Sequence, residues 1–73
     1  MTKMFKDPAS GTIYTVMPRT LKGTYGIFET YGKGYRWHES IYQFPSRWWR
    51  HKESAEKFLA KYATEHGWEE VTT

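Results

Sequence analysis

One stripe of apolar residues, closed by a glycine, constrains this chain more than any other feature. Ala55, Phe58, Leu59, Tyr62 and Ala63 fall at i, i+3, i+4, i+7 and i+8, the single apolar face of an amphipathic helix. Glu53 and Glu56 sit in the first turn, where the helix dipole favours anions, and Glu53 stands four residues before Lys57. Gly67 lies just past the stripe and suits a left-handed cap, after which Trp68 can fold back on Tyr62 or Ala63. The spacing predicts a helix over 52–66, with His51 as its N-cap and His66 in its last turn. A second long helix would contradict this reading.

Upstream, glycine and proline cut the chain into strand-sized pieces. Asp7-Pro8-Ala9-Ser10-Gly11 is turn chemistry: proline presets φ and glycine accepts positive φ. Thr12 to Met17 alternates and is β-branched, a strand that Pro18 stops. Thr24 to Tyr31 reads as a second strand and Tyr35 to Phe44 as a third, joined by the short loop Gly32-Lys33-Gly34. A three-residue loop pairs Tyr31 with Tyr35, Glu29 with Trp37, Ile27 with Glu39 and Tyr25 with Ile41. That register gives a core face of Tyr25, Ile27, Tyr31, Tyr35, Trp37 and Ile41, interrupted by Glu29 and Glu39, whose carboxylates would need partners. Phe28, Thr30, Arg36, His38, Ser40 and Tyr42 fall on the solvent face. Arg47-Trp48-Trp49-Arg50 reads either as a helical turn with both tryptophans along one flank or, the favoured reading, as an extended bridge in which one tryptophan plugs the core and the other stays outside.

The expected architecture is therefore α+β: a small antiparallel sheet of three strands with one C-terminal helix packed on one face. Residues 1–11 form an N-terminal arm, 12–44 the sheet, 52–66 the helix, and 67–73 a tail or a fourth short strand. Phe58, Leu59 and Tyr62 should pack on Ile27, Trp37 and Ile41. At 73 residues the chain bounds a single domain. A domain of this size buries only about 60 % of its unfolded surface, so bulky rings must fill a thin core. Ten of the 14 aromatics are Trp or Tyr, whose polar edges can stay wet. Without cysteine there is no disulfide or zinc ribbon, and no apolar run approaches the roughly 20 residues of a membrane span. A cytoplasmic setting, in a cell or an infected host, is the expectation.

Charge is unevenly distributed. Residues 1–52 hold nine basic and three acidic residues, a net +6, whereas 53–73 hold two basic and five acidic, a net −3. This asymmetry fits an anionic partner, and equally an ordinary solvated surface. Enzyme signatures are nearly absent: one aspartate, no cysteine nucleophile, no G-x-S-x-G and no phosphate-binding loop leading into a helix. His38, His51 and His66 are 13 and 15 residues apart and form no metal-binding pair. No catalytic residue, metal or cofactor is expected.

What remains is a mixture of cations and π-faces: Lys22, Lys33, Arg36, His38, Tyr42, Arg47, Trp48, Trp49 and Arg50. Nucleic-acid binders use this mixture, cations neutralising phosphates while rings stack on bases. The competing reading makes the rings core and the arginines its rim.

Trp49-Arg50-His51-Lys52-Glu53-Ser54-Ala55-Glu56 resembles the aromatic-x-Thr-Lys-x-Glu-Ala-Glu lead into the helix of integrase arm-type and AP2-like DNA-binding domains. The similar region runs from Tyr25 to Ala63, and His51 and Ser54 depart from the pattern. The resemblance implies three antiparallel strands backed by a helix, with the sheet in a DNA major groove. The leading expectation is thus a non-catalytic module that binds DNA or RNA through a basic, aromatic-rich sheet face. The alternative is a small phage or mobile-element accessory protein that docks a host or phage protein, anchored by Trp48 or Trp49.

Overall fold

The computed structural model describes residues 3–32, 35–45 and 47–71. It is an α+β fold: strands β1 (Met4–Lys6), β2 (Ile13–Pro18), β3 (Tyr25–Thr30) and β4 (His38–Glu39), helix α1 (Lys52–His66) and strand β5 (Glu69–Val71). The strands form one antiparallel sheet in the order β4-β3-β2-β1-β5.

The helix occupies the predicted span, and its apolar stripe is its buried side. Ala55, Leu59 and Ala63 are buried against Phe5, Tyr14, Val16, Ile27 and Phe44, with Phe58 and Tyr62 packed alongside. Its C-terminus is a Schellman ending. Gly67 adopts φ 72°, its N–H donates to the Thr64 carbonyl, and the Trp68 N–H donates to the Ala63 carbonyl at 2.8 Å. Trp68 folds back as expected, 5.1 Å from the Tyr62 ring and stacked on Tyr14 at 4.3 Å. His51 is the N-cap residue, but its side chain makes no capping hydrogen bond.

The expected N-terminal arm instead contributes β1. The Asp7–Gly11 turn closes a hairpin: the Asp7 N–H donates to the Thr12 carbonyl, and the Asp7 carboxylate accepts from the Ala9 N–H, both at 2.9 Å. Three residues are too few to show a period, so only Phe5, buried against the helix, marked the strand. β5 is the expected short fourth strand, and it pairs with β1. Pro18 lies within β2 rather than beyond it. The Arg19 N–H donates to the Thr24 carbonyl in the β2–β3 register, so odd residues there bond β3 and even ones face the β1 side. Among the described residues β1 pairs no further than Thr15, so there the proline nitrogen interrupts no ladder.

The third strand departs most from expectation. Only His38 and Glu39 pair with β3, as Phe28↔Glu39 and Glu29↔His38, one residue out of the predicted register. Lys33 and Gly34 of the expected hairpin loop lie outside the described residues. Beyond Ser40 the chain turns, with the Phe44 N–H donating to the Ser40 carbonyl, and Phe44 enters the core edge-on to Tyr14, Phe58 and Tyr62. Tyr31, Tyr35 and Ile41, expected inside, are therefore exposed, whereas Thr30 and Ser40, expected outside, are buried. Trp37 is half-buried and outside the core cluster.

Both glutamates find partners. Glu29 accepts from the Ser40 hydroxyl at 2.6 Å, and Glu39 accepts from Arg19 Nε at 2.9 Å, the one ion pair among the described residues. That pair lies across Gly26, where an added Cβ would meet Arg19 carbons and the Glu39 carboxylate at 3.1 Å. Directly opposed residues share a sheet face. The face away from the helix thus carries Met4, Thr15, Phe28 and Glu39 in one row, and Met17 beside Gly26 in the next. It is not the basic face expected from the sequence: its Arg19 is neutralised, and His38 belongs to the opposite side, across from Glu29. Among the described residues no helix is long and apolar enough to cross a membrane.

Candidate functional site

The Arg-Trp-Trp-Arg segment builds the site through strand periodicity. Trp49 is bonded to Tyr25 in both directions, N–H to carbonyl at 2.7 and 2.9 Å, which extends the β3 edge by one isolated bridge. An extended backbone sends alternate side chains to opposite sides. Trp49 packs at 5.1 Å on the Phe58 ring and Arg47 holds its guanidinium 5.2 Å over the same ring, so both face the helix. Trp48 and Arg50 face the other way.

There they meet the β2–β3 turn. Thr24 is buried, and its hydroxyl donates to the Leu21 carbonyl at 2.6 Å. Gly23 takes the left-handed φ of 84° that the tight turn requires. Locked this way, the turn exposes Lys22 and Leu21. Leu21, Lys22, Gly23, Thr24, Trp48 and Arg50 line a cleft of about 390 Å³ containing no carboxylate. Trp48 remains 46 % exposed and shares this lining with Lys22 and Arg50.

The nine residues singled out from the sequence are dispersed. Lys22, Trp48 and Arg50 come together in this basic cleft. Arg47 and Trp49 lean on Phe58. His38 and Tyr42 line a separate cleft of about 430 Å³ with Glu29, Glu39, Tyr31 and Ile41, where two carboxylates make a poor phosphate site. Arg36 is exposed on the approach to β4, and Lys33 lies outside the described residues. Sequence reasoning missed Leu21 and Thr24. The Leu21-Lys22-Gly23-Thr24 run held the turn signal, but its meeting with Trp48 depends on the Tyr25–Trp49 bridge.

The pKa shifts lie elsewhere. Burial, reinforced by the negative charges of Glu29 and Asp7, pushes the Tyr14 phenol up to about 12. Tyr31 is raised by its hydrogen bond to the Glu29 carboxylate and by that charge. Both phenols stay neutral at physiological pH, without the depressed pKa of an activated nucleophile. Among the described residues no three His, Asp or Glu side chains gather where they could hold a metal ion. No protein-family model, curated protein or solved structure matches the chain. The likeness of residues 25–63 to arm-type domains therefore rests on its residues alone.

Proposed function

We propose that this protein is a non-catalytic module that binds single-stranded nucleic acid at the Lys22–Trp48–Arg50 cleft. The observation that carries the reading is an exposed Trp48 in one cleft with Lys22 and Arg50, with no carboxylate among the described lining residues. An indole stacks on any base, and the flanking cations neutralise the phosphates on either side. An exposed tryptophan beside Glu69 and Glu70 would have favoured a protein partner, and Trp48 instead lies with Lys22 and Arg50. The concave basic surface lies at the turn end of the sheet. That position favours a threaded single strand over the sheet-in-groove docking implied by the arm-type resemblance.

A second reading, docking of a host or phage protein, draws on a different surface. Tyr31, Tyr35, Ile41 and Tyr42 are all exposed around β4, and tyrosine is enriched at binding hot spots. Fluorescence titration with oligo(dT), the matching RNA and a duplex at low salt separates the two. Quenching by single strands that disappears in Trp48→Ala supports the nucleic-acid reading. Absence of binding at tens of micromolar rejects it, and a pull-down after nuclease treatment then tests the tyrosine surface with Tyr42→Ala as control.

A further inference from the structure

A separate cleft, of about 450 Å³, lies along the part of β2 that runs past the end of β1. Among the described residues β1 stops at the Met4↔Thr15 pair, whereas β2 continues against β3 through Val16, Met17 and Pro18. Those β2 residues line the hollow with Met4, Tyr25, Trp37 and Lys52, and none of them lines the basic cleft. The volume lies in the range of ligand-sized pockets, about 300–1,000 Å³. Two rings, two thioethers and a proline make the wall apolar, and the Thr15 hydroxyl is already spent on the Lys3 carbonyl at 2.9 Å. Lys52 is the only charged side chain among the described lining residues. It is half-buried, and the one ion pair among the described residues is Arg19–Glu39, so no carboxylate pairs with its ammonium there.

We infer that this cleft binds a small aromatic carboxylate, its ring seated among Trp37, Met4 and Met17 and its carboxylate paired with Lys52. The site goes beyond nucleic-acid binding at the basic cleft and does not depend on it. The wall selects the body of the ligand: rings pack favourably on rings, and thioether sulfur adapts to ring edges. The charge selects its head. One ammonium matches one carboxylate, whereas a phosphate monoester carries about −1.5 to −2 and would be left partly uncompensated. A wholly apolar ligand would bury the wall and leave Lys52 without a counter-charge. The assignment also gives Trp37 a role, since its large ring is half-buried yet outside the core cluster.

The test uses three probes with one ring system: 2-naphthoate, the neutral 2-naphthalenemethanol and 2-naphthyl phosphate. Each is titrated into wild type, Lys52→Met and Trp37→Ala, and the Met4 and Met17 methyl and tryptophan indole resonances are followed by NMR. Lys52→Met keeps an apolar stem and removes the charge. The expected result is that 2-naphthoate shifts both methyls and the Trp37 indole while the Trp48 indole stays still. It should bind about fivefold more tightly than the alcohol, the upper end for a partly exposed ion pair, and at least as tightly as the phosphate. Lys52→Met should erase the preference for the acid over the alcohol without weakening the alcohol. Trp37→Ala should weaken acid and alcohol alike by about 2- to 12-fold, the loss of one aromatic contact. Equal affinity of acid and alcohol for wild type would mean that Lys52 only covers the wall with its stem, and overturns the proposal. Tighter binding of the phosphate overturns the carboxylate assignment. If no probe moves the Met4 and Met17 methyls at millimolar concentration, the site itself falls, while single-strand binding at Trp48 stands or falls by its own titration.

Discussion

Phe44 should hold more of the fold's stability than Trp37, although Trp37 is the larger ring and stands in the more strand-like stretch. Phe44 is 5 % exposed and meets three rings edge-on, with centroids 6.1 Å from Tyr14, 5.9 Å from Phe58 and 4.8 Å from Tyr62. Burying a phenylalanine side chain is worth about 1.5–3 kcal/mol, and each aromatic pair adds roughly 0.5–1.5 kcal/mol beyond its area. These contributions overlap, so Phe44→Ala is expected to cost about 4 kcal/mol, inside the usual range of about 3–5 for such a deletion. A domain of 73 residues has a total stability of about 4–11 kcal/mol, so the variant stands at the edge of unfolding. Phe44→Leu, at about 1–1.5 kcal/mol, provides a version certain to be measurable. Trp37→Ala removes a half-buried ring that touches no part of the core cluster and should cost less than half as much. Urea unfolding followed by circular dichroism reads all three, with an unchanged m-value confirming that stability alone has moved. If Trp37→Ala proves the more damaging, the one-residue-shifted register with Trp37 in the core is correct, and the packing described for Phe44 is wrong.

Gly67→Ala places a Cβ at φ 72° and should cost about 1 kcal/mol, lowering the melting temperature by about 4–8 °C by scanning calorimetry. Tyr14 has a raised phenol, so its folded pKa of about 12 exceeds the unfolded value of 10.0. Its contribution is fully present below pH 10 and is lost as pH rises towards 12, so Tyr14→Phe should flatten the stability–pH curve in that window, as read by urea midpoints. Lys22→Ala and Arg50→Ala should each make the salt slope of single-strand affinity shallower by about 0.7 while changing stability by about 0.5 kcal/mol or less. Equal slopes for wild type and both variants would remove those residues from the interface.

The parts legible from sequence are those whose signal is local. The α1 stripe, the Gly67 ending and the Asp7–Gly11 turn are each written within about two helical turns or one hairpin loop, where local geometry decides them. The split between Trp48 and Trp49 belongs to the same class, because an extended chain alternates its side chains whatever it packs against. Tertiary structure decided everything that depends on a partner far along the chain. β1 is three residues long and acquires a role only by lying between β2 and β5. The β3–β4 register is set by where Ser40 can reach Glu29 and Glu39 can reach Arg19, and a shift of one residue there exchanges the two faces. The candidate site divides along the same line: its residue types were visible as a mixture of cations and rings, but their convergence was not. Lys22 and Arg50 are 28 positions apart and meet only because Trp49 takes up the strand bonds of Tyr25, which carries Trp48 and Arg50 to the β2–β3 turn.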